Sequence, residues 1–329
     1  MRTAVLALTG AATLGLAAAP LSSSASTPAT GTIAVPRIHT LPTLQHHADC
    51  FPPVVVSVAC GGAGTPMTWG GGAVQTNPAV YIVYWGWNGN DPAGEATYQQ
   101  SFFTSIGGTT FPASQTQYCE NATGVGTTCT TGPFVGNPSG LLKGTWSDNT
   151  NPIPSSPSDA DIQAEAIRAA AHFANTTAAS NASTQYVIDT PHGNSTSGFN
   201  TQWCAYHGMA SSSYGGLSYT NFPYIPDAGA NCGQNFVNSG SAGNLDGVSI
   251  VGGHEYAEAI TDPNPGLGWT DTAGAETGDK CAWISFGPGA ATDVSAGGSS
   301  YAVQSLWSNN DNSGAGGCVT FYASPSNQH

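Results

Sequence analysis

Gly252-Gly253-His254-Glu255-Tyr256-Ala257-Glu258-Ala259-Ile260-Thr261-Asp262-Pro263 decides both the fold and the chemistry to be expected of this chain. The residues from Val248 to Ile260 predict a helix, stopped by Pro263, which cannot continue one. On a helix, positions i and i+4 share a face, so His254 and Glu258 project together. Glu255 is turned about 100° from His254, close enough to reach a water on a metal without binding the metal. This is the layout of a zinc-hydrolase helix, in which two ligands grip the metal and a neighbouring Glu handles a proton. One position departs from the usual pattern: Glu258 stands where a second His is normal. A solvated acidic helix face would read the same way.

The surroundings favour a site. Glu255, Glu258, Asp262, Asp271, Glu276 and Asp279 crowd into 25 residues of a chain with only 19 acids, and no Lys or Arg intervenes before Lys280. Gly252 and Gly253 let something approach the helix closely. A zinc site of this type needs three protein ligands and an open position. Glu276 is the expected third ligand, beside His254 and Glu258. Asp279 is expected behind His254, as the carboxylate that orients a metal-bound imidazole, with Asp262 a further turn along from Glu258. Glu255 is the expected base, and His207 the candidate for stabilising an oxyanion. Zinc is the favoured metal. Two carboxylates and one imidazole would cancel its charge, which also admits manganese, iron or calcium. His192, Tyr206 and Tyr256 are weaker candidates, more readily explained by loop and core hydrogen bonds. No Gly-x-Ser-x-Gly elbow is present, so a serine hydrolase of that kind is not indicated.

Export is written at the N-terminus. Met1-Arg2, the apolar run Ala4 to Ala19 and the small residues Ser23-Ser24-Ala25 fit a signal peptide over 1–25. No later segment is apolar for the about 18 residues that a membrane span requires. Eight cysteines in an exported chain read as disulfides, and their spacing suggests consecutive pairs: Cys50–Cys60, Cys119–Cys129, Cys204–Cys232 and Cys281–Cys318. With Arg2 removed, 4 basic side chains face 19 acidic ones, a formal charge of −15. Such a surface repels phosphate backbones, so nucleic acid is not an expected partner.

Residues 26–75 read as an irregular arm or propeptide, Ser/Thr/Pro-rich and then Gly-rich. The folded part is expected over 76–329. Ala79 to Trp87 reads as a buried strand, Tyr98 to Ile106 as a helix, and Ser158 to Ala174 as the clearest helix, with Asp159 and Asp161 in its first turn. Tyr186 to Asp189 and Cys318 to Tyr322 are short strands. Residues 193–246 read as a long disulfide-tied loop region. Trp85, Trp87, Trp203 and Trp269 could line a sugar groove, although aromatics at this density are more often core. The order of elements predicts a single α/β or α+β domain with a mixed sheet, an active-site helix and long loops.

At this point the chain resembles the phosphate-induced protein 1 family, the exordium-like proteins. Val80-Tyr81-Ile82-Val83-Tyr84-Trp85-Gly86 is similar to the family's early Tyr/Trp-Gly strand, and Trp203-Cys204 with Tyr206-His207-Gly208 to its Cys and Gly-Phe-His segment. Asp246-Gly247-Val248-Ser249-Ile250-Val251-Gly252-Gly253-His254-Glu255 and Glu276-Thr277-Gly278-Asp279-Lys280-Cys281 carry the most specific likeness. The family also keeps Glu at the position of Glu258. The resemblance implies an extracellular protein with a zincin-like pattern. Together these readings predict a secreted metal-dependent hydrolase, a monomeric zinc endopeptidase acting on peptide or protein. The alternative is a non-catalytic extracellular protein that binds cell-wall polymer, with a structural metal or an acidic cluster.

Overall fold

The run Ala79-Val80-Tyr81-Ile82-Val83-Tyr84-Trp85 is apolar at almost every position, and in the fold both its faces are covered, as an interior strand of a parallel ladder requires. The computed structural model describes residues 38–44, 65–120, 129, 131–194 and 196–321. The expected leader over 1–25 and the Cys50–Cys60 pair lie outside them.

In chain order the described strands and long helices are β1 (Ile38–Pro42), β2 (Thr68–Trp69), β3 (Ala79–Trp85), α1 (Glu95–Ile106), β4 (Leu142–Asp148), α2 (Asp159–His172), β5 (Thr184–Asp189), β6 (Trp203–Ser212), β7 (Gly215–Phe222), α3 (Asp246–Thr261), β8 (Trp269–Thr270), β9 (Thr292–Ala296), β10 (Ser299–Val303), β11 (Leu306–Ser308) and β12 (Gly317–Val319). The main sheet is mixed, in the order β1-β6-β7-β5-β3-β4. β4, β3, β5 and β7 run parallel, while β6 is antiparallel to both β7 and β1.

Strand alternation assigns the two faces. Gln185, His207 and Thr220 point to one side, where Gln185 Nε2 donates to the backbone oxygen of Glu255 on α3. Tyr219 points to the other, where its hydroxyl meets Asp159 at the start of α2. The sheet is therefore sandwiched, with α2 on one face and α3 on the other. α1 packs on α3 through Phe103 against Tyr256. α2 begins at a capping box: Ser158 Oγ accepts from Asp161 N, and Asp161 Oδ2 accepts from Ser158 N at 2.9 Å.

Three disulfides tie the outer segments: Cys119–Cys129, Cys204–Cys232 and Cys281–Cys318. Among the described residues no helix is long and apolar enough to cross a membrane.

Two expectations need correcting. The stretch 26–75, read as irregular, supplies β1, which pairs with β6, and β2, which pairs with β8. Both strands are too short, and β1 too mixed in residue type, to show an alternating pattern. The stretch 193–246, read as loops, contains the β6–β7 hairpin. Its strands, WCAYHGMASS and GGLSYTNF, are rich in Gly and Ser, which imitates loop composition. Their burial comes from helices on both sides, a non-local condition. Trp85, Trp87, Trp203 and Trp269 are all at most 7% exposed, so they are core and line no open groove.

Candidate metal centre

Every one of the sixteen residues of α3 is buried. The helix is therefore no solvated acidic face, and its carboxylates have been taken out of water. Gly252 and Gly253 face α1 and its neighbour: a Cβ on Gly253 would stand 3.2 Å from the Phe111 ring. The two glycines serve the packing of Phe102, Phe103 and Phe111, so what approaches the helix here is aromatic core.

His254, Glu255 and Glu258 emerge from α3 toward β6 and the loop 276–279. His254 Nε2 lies 3.1 Å from Glu258 Oε1. His207, in the middle of β6, is fully buried, its Nδ1 3.4 Å from Glu255 Oε2 and 3.6 Å from Glu258 Oε2. Its Nε2 lies 3.5 Å from Glu276 Oε2. His39 on β1 stands directly opposite His207 in the antiparallel register, so the two imidazoles share a face, with ring centroids 6.0 Å apart. His39 Nδ1 is 3.3 Å from Glu276 Oε1, and its Nε2 pairs with Asp279 Oδ2. Two sets have ligand atoms all within 4.8 Å of one another: His207, Glu258 and Glu276, and His39, Glu258 and Asp279.

The loop that carries Glu276 and Asp279 is held from several sides. Asp279 N donates to Glu258 Oε1 at 3.1 Å, and Glu276 N to Asp279 Oδ2 at 3.0 Å. Cys281 anchors the loop to Cys318. Lys280 turns away, pairing with Asp271 at 2.9 Å and covering the Trp307 ring. Gly278 has an ordinary helical φ but no room: a Cβ there would come 2.5 Å from His254 Nδ1 and 2.9 Å from Glu258 Oε1. Only glycine lets the loop close over the imidazole.

Two groups fix the imidazoles. Gln304 Oε1 is 3.2 Å from His254 Nδ1, while Gln304 Nε2 donates to the Gly278 carbonyl at 2.7 Å. With Oε1 as acceptor, a neutral His254 carries its proton on Nδ1 and presents a lone pair on Nε2 toward Glu258. His207 Nε2 is 3.2 Å from the backbone oxygen of Asp262, which by the same logic frees Nδ1. The atoms so presented have no hydrogen bond. His254 Nε2, His207 Nδ1, Glu258 Oε2 and both oxygens of Glu255 and of Glu276 are buried without hydrogen bonds, their imidazoles and carboxylates meeting only at ion-pair distances. Such atoms are uncommon in native interiors; eleven others are scattered through the described residues, but these seven converge on one point. An imidazole and carboxylate set of this kind suits zinc or a harder divalent ion.

Electrostatics expose the tension. Burial pulls the His254 imidazole down, but Glu258, Glu255 and Asp279 outweigh it and hold its pKa up at about 9. Burial likewise opposes charge on His39, yet Asp279 and Glu276 push it well above the ordinary value. Burial raises the carboxyl groups of Glu255 and Glu276, for which the imidazoles compensate only in part. Asp279 goes the other way: His39 overcomes burial and holds it down at about 2.

Of the residues expected from sequence, His254, Glu255, Glu258, Glu276 and His207 meet here. The imidazole grouped with Glu258 and Glu276 is His207, whereas His254 Nε2 lies beside Glu258 and, farther off, Asp279. Asp279 does not stand behind His254. Its Oδ1 is 3.9 Å from Nε2, on the ligand side, and Gln304 holds the far nitrogen. Asp262 contributes its carbonyl to His207, while its carboxylate accepts from Gly266 N and Gly268 N and closes the turn after α3. His192 pairs with Asp227 in an exposed contact, Tyr206 lies on the opposite face of the sheet, and Tyr256 packs on Phe103. Sequence reasoning missed His39 and Gln304. Only the pairing of β1 with β6 reveals the first, and a neutral amide carries no signal for the second. No family model, no curated protein and no solved structure matches the chain.

Proposed function

We propose that this chain is an exported metal-dependent hydrolase of zincin-like type, acting on peptide bonds. The observation that carries the reading is Glu255. It is buried, neither oxygen makes a hydrogen bond, Oε2 is 3.4 Å from His207 Nδ1, and it belongs to neither set of grouped ligand atoms. A purely structural centre has no use for that extra buried carboxylate, whereas a hydrolytic one needs a base in this place. His207, Glu258 and Glu276, with His254 beside Glu258, would hold a divalent cation. The cation would supply Lewis acidity and a lowered water pKa. Glu255 would take the proton of the attacking water and return it to the leaving amine. Burial favours the protonated carboxyl of Glu255, which suits a group that both accepts and delivers a proton.

A peptide substrate is supported by β1. Among the described strands it has a neighbour on one side only, and an outer strand can pair with an extended chain. His39 on β1 and Asp279, which pairs with it, are the cluster members partly open to solvent, at 22% and 15%. The three disulfides are in keeping with an extracellular setting. The likeness of residues 246–281 to the phosphate-induced protein 1 family remains part of this reading.

Cleavage of casein or a peptide library tests it. Activity should disappear on chelation and return with zinc or manganese. Glu255→Gln should lower kcat by about 10²–10⁴ with metal content unchanged. Activity indifferent to Glu255→Gln would sink the assignment. A second reading, a structural metal in a cell-wall-binding protein, is favoured by one feature: His207, His254, Glu258 and Glu276 are all fully buried. It predicts no cleavage, and a chelated chain that loses stability but keeps its affinity for wall polymer.

A further inference from the structure

We propose that the cluster is a two-metal centre, with Glu258 bridging one cation held by His207 and Glu276 to a second held by His39 and Asp279. The inference rests on the reading that the cluster binds metal and adds its nuclearity and second ligand set. Glu258 is the one residue common to both groups of ligand atoms. Its oxygens diverge: Oε1 is next to His254 Nε2 and the amide of Asp279, while Oε2 turns to His207. That divergence is how a carboxylate spans two cations. Glu276 also divides its oxygens, with Oε1 toward His39 Nδ1 and Oε2 toward His207 Nε2 rather than Nδ1.

The backbone explains why two halves exist. His39 and His207 face each other across one antiparallel pair, so β1 and β6 each deliver one imidazole to the same row of carboxylates. Charge points the same way. Glu255, Glu258, Glu276 and Asp279 together carry four negative charges when ionised. One divalent cation leaves half of them uncompensated in a buried site, and two cations balance them. In such centres the ions sit about 3.5–4 Å apart and clamp the attacking and leaving groups from both sides.

The test is metal counting on the full chain, stripped with chelator, reloaded with manganese and freed of excess ion. Wild type should bind two manganese ions per chain and give an exchange-coupled paramagnetic resonance spectrum. His39→Gln, a change on a partly exposed outer strand, should bind one and give an uncoupled spectrum, with an unchanged circular dichroism spectrum showing that the fold is retained. One ion in saturated wild type would overturn the two-metal centre and leave the single-metal reading standing. Two coupled ions in both proteins would overturn the role of His39. No ion in wild type would overturn both readings together.

Discussion

The centre beneath α3 and the pair Glu95 and Asp189 both bury carboxylates completely, yet they meet the cost of burial in opposite ways. Glu95 opens α1 and Asp189 ends β5, and both are fully inaccessible. Their partners are neutral. Gln99 Nε2 donates to Asp189 Oδ1 at 2.8 Å, and the Ile225 amide reaches Glu95 Oε1 at 3.5 Å. Burial, with the nearby charge of Asp189, pushes Glu95 well above the carboxylate range, and burial with Asp91 does the same to Asp189. For these acids burial favours the neutral form. Under α3 the acids face three imidazoles, and seven polar atoms without hydrogen bonds converge, against one such oxygen each on Glu95 and Asp189. Buried acids alone therefore do not make a site. A site is marked by opposed imidazoles whose far nitrogens are already engaged.

The largest expected contrast is in metal binding. Glu258→Gln should weaken divalent-ion affinity by more than about 100-fold, since a shared ligand costs at least what an outer partner does, whereas Glu95→Gln should leave affinity unchanged. Calorimetric titration of both variants with zinc reads this directly, and similar losses in the two would erase the distinction. Next come the groups that position His254. Gly278→Ala forces a methyl against His254 Nδ1, and Gln304→Leu removes the acceptor that sets its tautomer. Each should cost about 10–100-fold in affinity, and wild-type affinity in Gln304→Leu would show that the tautomer is set elsewhere.

For Glu95 and Asp189 the contrast is in stability rather than in metal binding. A carboxyl whose folded pKa is raised binds more protons in the native than in the unfolded chain. Stability is therefore fullest below the unfolded value, about pH 4, and declines as pH rises toward the folded value. Chelated protein should lose up to about 1.4 kcal/mol per pH unit from each such group across that window. Asp189→Asn should flatten the decline, measured by urea unfolding at several pH values. An unchanged slope would mean that Asp189 is ionised in the native state.

Legibility follows the range of the interactions. α2 announces itself through Ser158, Asp159, Asp161 and the stripe Ile162, Ala166 and Ala169, all local signals, and its capping box is present. β3 and α3 are equally visible, because an apolar strand and a proline stop are local too. Within the site, His254, Glu255 and Glu258 follow from helical spacing, and Glu276 from the crowding of acids. His39 stays hidden because its place depends on a pairing across some 170 residues, between a five-residue strand and a hairpin with loop-like composition. The side of His254 on which Asp279 stands is not legible, because spacing gives no direction to a turn of three residues.

On the proposed function, the convergent atoms beneath α3 that lack hydrogen bonds hold a cation. Metal content of the full chain, purified without chelator and measured by plasma mass spectrometry, tests it most directly. At least one tightly held divalent ion per chain is predicted, lost in a folded Glu258→Gln variant. A wild-type chain that stays metal-free after incubation with zinc and with manganese would contradict the account.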